Sequence, residues 1–171
     1  YSDNQALADI FSNLKNRPTL IYGDINVVTT EGCERYQKAG NFSLDALLKQ
    51  GTGVLCHQAM FVRRIKAPQY NCEYTYKAEL NWYFDILETD NFDSRHIERP
   101  IVFYTLGGLG YQHFLRNRLE WVQLIYRRFG LARLFESGII IFLFKTSLSR
   151  YPTLDRAVKF IKRIGSIIKL K

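Results

Sequence analysis

Apolar positions follow two different spacings along the first 130 residues. Four stretches place apolar side chains at intervals of three and four, the spacing of one helical face. Three others are short and apolar or rich in β-branched residues, which predicts strands, and a fourth strand is predicted where the chain returns after the turn at Glu31 and Gly32. The predicted helices are residues 3–15, 44–50, 75–88 and 111–129, and the predicted strands are residues 19–28, 33–40, 53–64 and 99–106. Because strands and helices alternate, the sequence predicts an α/β layered fold.

Turn and capping residues support several of these boundaries. Gly23 and Asp24 are expected to interrupt the first strand, and the second strand is expected to pair back on it antiparallel. Ser43 is a suitable N-cap for the second helix, and Gly51 is a suitable C-terminal stop. Gly130 is expected to break the last helix.

Length and composition exclude several classes of protein. A chain of 171 residues has the size of one ordinary domain. Its 47% hydrophobic and 23% charged residues exclude disordered and collagen-like chains. The three cysteines, Cys33, Cys56 and Cys72, match no zinc-finger spacing, so no metal site is predicted from them and a reduced, cytoplasmic protein is favoured.

Charge divides the chain into two parts. Residues 1–112 hold 11 Lys and Arg against 13 Asp and Glu, whereas the last 59 residues hold 13 against 3. Residues 154–170 combine an aliphatic helical face with five cationic side chains, a pattern typical of helices that lie in a membrane interface. We therefore predict a domain over residues 1–130 and a basic amphipathic helical tail over 131–171; the alternative is a surface helix with a solvated basic face.

Five segments, taken in order, resemble the C-terminal half of bacterial family 2 glycosyltransferases of the GT-A fold. They are the strand Ile21–Ile25, the helix Ser43–Leu48, the segment His57–Arg64 after Gly51, the acidic segment Lys77–Tyr83, and the strand and glycine pair Phe103–Leu109. The resemblance covers most of residues 1–130 and implies a partial GT-A domain that carries the acceptor side.

The resemblance implies roles for particular residues. Glu79 stands where the family has its acceptor-activating base, and eight further residues are implied in substrate binding. These are Asp24, His57, Gln58, Arg63, Asn81, Trp82, Gly107 and Gly108. Six of them have a structural alternative: Glu79 as a helix-capping carboxylate, His57 as a core histidine, Gly107 and Gly108 as a tight turn, and Arg63 and Asp24 as strand ends.

Two departures from the family pattern matter. Glu79 replaces the usual Asp, and Asn81 replaces the second acidic residue. The chain contains no Asp-x-Asp. We therefore expect the nucleotide-binding units to precede Tyr1, with most ligands of a divalent Mg or Mn ion, and we expect this fragment alone to be inactive.

The resemblance implies that the intact enzyme transfers a sugar, with inversion, from a nucleoside-diphosphate sugar to a glycan or polyprenyl-linked acceptor in polysaccharide biosynthesis. The basic tail implies a peripheral position on an anionic membrane surface, at the cytoplasmic face of the cell membrane. The alternative is a non-catalytic peripheral membrane module that uses the same tail. Nucleic acid is not an expected partner, because the cations share a helix with aliphatic side chains and no nucleic-acid module is present.

Overall fold

A mixed four-stranded sheet with helices packed on it forms the domain in a computed structural model, which describes residues 4–29, 32, 34–105 and 113–140. The helices are α1 (Asn4–Asn13), α2 (Leu44–Gln50), α3 (Ala78–Leu87) and α4 (Phe114–Glu136). The strands are β1 (Leu20–Val28), β2 (Glu34–Gln37), β3 (Met60–Val62) and β4 (Ser94–Thr105). The predicted α/β class is confirmed at this level.

Strand β1 is the centre of the sheet. Its first half pairs antiparallel with β3 and its second half pairs antiparallel with β2. On its other edge it pairs parallel with β4. Neighbouring strands cover both edges of β1, and apolar clusters cover both of its faces. This burial explains its nearly continuous run of apolar residues.

Two apolar clusters lie against the sheet. Since side chains alternate along a strand, Leu20 and Tyr22 contribute to one cluster and Ile21 and Ile25 to the other. The larger cluster joins the sheet to α2, α3 and α4, and the smaller one joins β1 and β4 to α1. The helices therefore sandwich the sheet and fix the start of α3 relative to it.

The capping prediction for α2 is confirmed. Ser43 has extended backbone and its Oγ accepts the Ala46 N–H, while Gly51 ends the helix with a φ of 60°. A φ in this range favours glycine. A Cβ at Gly51 would also lie 2.8 Å from the Trp121 ring, so this position requires glycine twice over.

Three sequence predictions need correction. Residues 53–64 are not one strand: the 3-10 turns Gly51–Val54 and His57–Ala59 precede the short strand β3. Strand β4 begins at Ser94, well before the predicted residue 99. Gly23 and Asp24 do not interrupt β1, because the strand absorbs an irregularity there as a shift of register against β4.

The helical signal after residue 111 continues past its predicted end. Gly130 interrupts the helix as predicted, with a φ of 77°. A second helical segment follows the kink and ends at Glu136. Leu134 and Ile139 are buried in the larger cluster, so the core extends beyond residue 130. Gly107, Gly108 and residues 141–171 lie outside the described residues, so the tail helix stays a prediction. No helix in the described ranges has the length and apolarity to cross a membrane.

Candidate functional site

The first turn of α3 presents Glu79 beside the 3-10 turn His57–Ala59. Apolar side chains of α3, among them Leu80, Tyr83 and Phe84, are buried in the larger cluster and fix the rotation of the helix. Glu79 itself is partly exposed, its side chain at 28%. The hydrophobic pattern of α3 thus directs one carboxylate to the surface of the domain.

Two donors hold the same oxygen of Glu79. The Tyr83 hydroxyl donates to Glu79 Oε1 at 2.5 Å, and His57 Nδ1 lies 3.1 Å from that oxygen. Tyr83 is one helical turn after Glu79, a spacing that brings the two side chains together. Among the residues that the structure describes, no donor is hydrogen-bonded to Glu79 Oε2. One carboxylate oxygen is therefore fixed and the other is left to act on a ligand.

Ionisation of the site follows from these contacts. The hydrogen bond to Glu79 raises the pKa of His57 despite partial burial, which acts in the opposite direction. Burial, followed by the charge of Glu79, raises the pKa of Tyr83, so its hydroxyl remains a donor. A hydrogen bond between the two side chains requires the proton on His57 Nδ1, because a carboxylate oxygen acts as the acceptor.

The His57–Glu79 pair borders a cleft of about 240 Å³. The cleft lies between the second half of β1, the end of β4 and the loop that leads to His57. Its lining includes Ile25, Val27, Gln37, Thr52, Cys56 and Tyr104. Burial raises the pKa of the Cys56 thiol, so this side chain is an uncharged wall of the cleft. The cleft therefore has a mixed polar and apolar lining, in which Glu79 contributes a carboxylate and His57 an imidazole.

Helix α4 fixes the start of α3 through Glu120. The Glu120 carboxylate accepts the backbone N–H groups of Thr75, Tyr76 and Lys77 at 2.8, 2.5 and 2.7 Å. The N-cap residue of α3, Lys77, makes no side-chain cap, and Glu120 binds its N–H together with those of the two loop residues before it. A carboxylate from a distant helix thereby positions the turn that carries Glu79.

The other predicted residues of the acidic segment face other partners. Asn81 is 6% exposed, and its amide bonds to Asp85 at 2.8 Å and to Arg128 at 3.1 Å. Trp82 donates to the Pro68 carbonyl at 2.7 Å and stacks on Tyr70. The structure therefore does not bring Asn81 to Glu79, because two residues along a helix point to opposite sides.

Of the remaining predicted residues, Gln58 is exposed in the same turn as His57. Asp24 is fully buried, and its carboxylate accepts the Tyr36 hydroxyl at 2.6 Å and the Ala39 N–H at 2.8 Å, with His96 Nε2 at 2.7 Å. Burial opposes its ionisation, but these hydrogen bonds together lower the pKa of Asp24.

Arg63 lies at the other end of β1 from the cleft. It follows β3, whose residues pair with the first three residues of β1, and its guanidinium donates to the Arg17 carbonyl at 2.6 Å. The structure thus brings Glu79, His57 and Gln58 together and places Asp24 and Arg63 elsewhere.

The sequence did not predict the contribution of two residues of the site. Tyr83 belongs to the apolar face of its helix, but its spacing of four residues from Glu79 also places it within reach of a hydrogen bond to that side chain. No pattern in the sequence indicates the role of Glu120, because the backbone N–H groups that it binds are more than 40 residues away along the chain.

Comparison with known proteins gives no match: no protein-family model, no curated protein and no solved structure matches the chain. Among the described residues there is also no cluster of three or more His, Cys, Asp or Glu side chains that could hold a metal ion. Function is therefore inferred from the residues, their resemblance and their geometry.

Proposed function

We propose that this chain is the acceptor-side part of an inverting glycosyltransferase with a partial GT-A fold, and that Glu79 is its catalytic base. The observation that carries the proposal is the state of the Glu79 carboxylate. One oxygen is held by Tyr83 and His57, and the other is left without a described donor at the rim of a cleft. A base that abstracts a proton needs this combination of fixed orientation and one accessible oxygen.

The proposed reaction is a single displacement. The acceptor hydroxyl gives its proton to Glu79 Oε2 while its oxygen forms a bond to the anomeric carbon of the donor sugar. The bond between that carbon and the diphosphate oxygen breaks, its electron pair leaves with the nucleoside diphosphate, and the configuration inverts. His57 and Tyr83 contribute by holding Oε1, so the carboxylate does not rotate away from the acceptor.

The donor and acceptor belong to the same proposal. A nucleoside-diphosphate sugar and a glycan or polyprenyl-linked acceptor fit the resemblance, and the excess of ten positive charges after residue 112 supports a place at the cytoplasmic face of an anionic membrane. The resemblance also implies Mg or Mn, but the described residues offer no ligand cluster, so no step is assigned to a metal.

Substitution of Glu79 by Gln tests the base role. The substitution keeps the shape of the side chain and removes its basicity. In the whole protein, supplied with a panel of nucleoside-diphosphate sugars and lipid-phosphate acceptors, we expect release of nucleoside diphosphate to fall about 10²- to 10⁴-fold, the usual contribution of a general base.

Glu73→Gln is the matched control, because Glu73 is an exposed carboxylate in the loop before α3. We expect this variant to retain the transfer rate of the unsubstituted protein. Thermal unfolding of both variants separates a loss of chemistry from a loss of fold. Normal transfer by a folded Glu79→Gln protein would remove Glu79 from the base role.

A further inference from the structure

The surface around the 3-10 turn Arg64–Lys66 combines exposed apolar and cationic side chains. Ile65 is 84% exposed, the most exposed large hydrophobic residue among those the structure describes. Arg63 and Arg64 precede it directly and Lys66 follows it. An isoleucine that stays in water between cations has no role in the core, and it gains almost no hydrophobic stabilisation on folding.

A second element brings matching side chains to the same place. The Arg63 guanidinium donates to the Arg17 carbonyl at 2.6 Å, which fixes the turn beside the end of α1. Leu14 and Phe11, on one face of that end, are 44% and 66% exposed. Leu14 and Arg63 also border one shallow depression of about 330 Å³, whose other lining residues are mostly apolar. The turn and the end of α1 are thus neighbours on the surface, and we treat their exposed apolar side chains, Phe11, Leu14 and Ile65, together as one patch.

Cations surround this patch. Lys15, Arg17 and Arg64 are exposed, and Arg63 and Lys66 are half-buried. Two acidic residues lie at the same edge: the Asp93 carboxylate accepts the Thr19 N–H, and the backbone carbonyl of Asp90 accepts a hydrogen bond from the Lys66 ammonium. Five cations against two carboxylates leave the patch positive.

We propose that this patch, consisting of Phe11, Leu14, Lys15, Arg17 and residues 63–66, docks the domain on an anionic lipid bilayer independently of the tail. Aliphatic and aromatic side chains enter the headgroup region, and the surrounding cations bind lipid phosphates. Each Lys or Arg near an anionic leaflet contributes roughly 1 kcal/mol, or about fivefold in partitioning.

Other occupants fit the patch less well. A second copy of the chain would bring two sets of five cations together, which like-charge repulsion opposes. Nucleic acid would use the cations, but exposed Ile65 and Leu14 offer neither a stacking surface nor a hydrogen bond to a base. A bilayer uses both the charge and the apolar side chains.

Vesicle binding by the full chain tests the proposal. The variant Arg64→Glu with Ile65→Ser is compared with Arg127→Glu and Leu119→Ser on α4, where Arg127 is exposed and Leu119 is 69% exposed. Both double variants change the net charge equally and leave the tail unchanged. For phosphatidylcholine vesicles that contain phosphatidylglycerol, we expect the first variant to lower the partition coefficient at least about tenfold and the second to lower it less than about twofold.

A fluorescent probe gives an independent readout of the same surface. Ile65→Trp is compared with Leu119→Trp, and the emission added to that of the native tryptophans is measured with vesicles that carry brominated acyl chains. We expect quenching of the added emission for Ile65→Trp and none for Leu119→Trp. The measurement requires no catalytic activity, so its outcome is independent of the glycosyltransferase proposal.

Four results would overturn the proposal. Equal losses in the two double variants would show that net charge alone decides binding, and the absence of any loss would exclude the patch. Weaker binding of the first variant to a nucleic-acid duplex, with unchanged vesicle binding, would identify nucleic acid as the partner instead. Failure of Ile65→Trp emission to respond to brominated lipid would likewise contradict insertion.

Discussion

The orientation of the Glu79 carboxylate depends on which of its two oxygens each neighbouring side chain contacts. Tyr83 and His57 both contact Oε1, at 2.5 and 3.1 Å. Because both contacts fall on one oxygen, the plane of the carboxylate is fixed while Oε2 keeps its lone pairs for a ligand. The local geometry therefore distinguishes Glu79 from an ordinary helix-capping carboxylate, whose oxygens accept backbone N–H groups of its own helix.

Titration of His57 checks this pair directly. Because the hydrogen bond to Glu79 raises the pKa of His57, we expect its imidazole resonances to titrate above the ordinary histidine value. The pair stabilises the fold fully below the unfolded-state pKa of histidine, and this contribution is lost as the pH rises through the folded-state value. NMR titration of the imidazole carbons measures the midpoint, and Glu79→Gln should move it downward.

The exposed carboxylate of Glu73 provides the comparison for that titration. Glu73→Gln removes the same charge without touching the pair, so the His57 midpoint should stay in place. A midpoint that is insensitive to Glu79→Gln would mean that the two side chains do not interact in solution.

The residues of the site differ in how far the sequence could predict them. Glu79 and Tyr83 follow from a helix with a fixed period, so their contact is local. His57 is 22 positions before Glu79, and their proximity depends on the packing of α3 against the loop before β3. Asn81 was assigned to substrate because of its place in the acidic segment, but the rotation of α3 directs it to Arg128.

At the scale of elements, the junction between α3 and α4 carries a buried charge. Lys77, which precedes α3, is 6% exposed, and its ammonium lies 5.0 Å from the centre of the Trp121 ring. Burial, followed by the nearby Arg118, lowers the pKa of Lys77 to about 8. The negative charges of Glu79 and Glu120 act in the opposite direction and raise this pKa. They stabilise the ammonium group where the two helices meet.

Replacement of Lys77 by Met measures the cost of this charge. Because the folded state holds Lys77 with a lowered pKa, its protonation opposes folding below about pH 8, and wild-type stability rises as the pH increases toward the unfolded-state value. We expect Lys77→Met to raise the free energy of unfolding at neutral pH by about 1 to 3 kcal/mol, part of the penalty being offset by Trp121. Urea unfolding between neutral and alkaline pH measures the difference, which should shrink as the pH rises.

Lys49→Met is the matched control on α2, where the lysine is exposed. Its effect on stability should be small, because the side chain already lies in solvent. A Lys77→Met difference that stays constant across the same pH range would show that the lysine is not desolvated in the folded protein.

The strand predicted over residues 53–64 was wrong because its apolar residues are buried without forming a continuous strand. Val54 and Leu55 are buried, as expected for a strand, but the backbone around them forms 3-10 turns. Gly51 leaves α2 in a left-handed conformation, and the following turn places Val54 and Leu55 in the core without a pairing partner. A run of apolar residues indicates that a segment is buried. A strand also requires a neighbouring strand in the sheet, and a single sequence does not specify that neighbour.

In the whole molecule, the segment after Gly130 is tied to the rest of the domain through α2. Leu134 and Ile139 enter the same cluster as Leu47 and Trp121, and the chain crosses the end of α2 at Gly138. A Cβ at Gly138 would overlap the carbonyl oxygen of Lys49, which belongs to the helix backbone and cannot move aside as a side chain would. Glycine therefore permits the close crossing that brings Ile139 into the core.

Gly138→Ala should separate this segment from the domain. Relief of the overlap requires a backbone shift that withdraws Ile139, and loss of a buried isoleucine costs about 2 to 5 kcal/mol. We expect a cooperative loss of that order in urea unfolding, together with faster amide hydrogen exchange at residues 134–140. Gly53→Ala is the matched control, because a Cβ there meets nothing within 4 Å. Equal stability of the two variants would contradict the crossing and would leave residues 1–130 as a domain that folds without the segment after them.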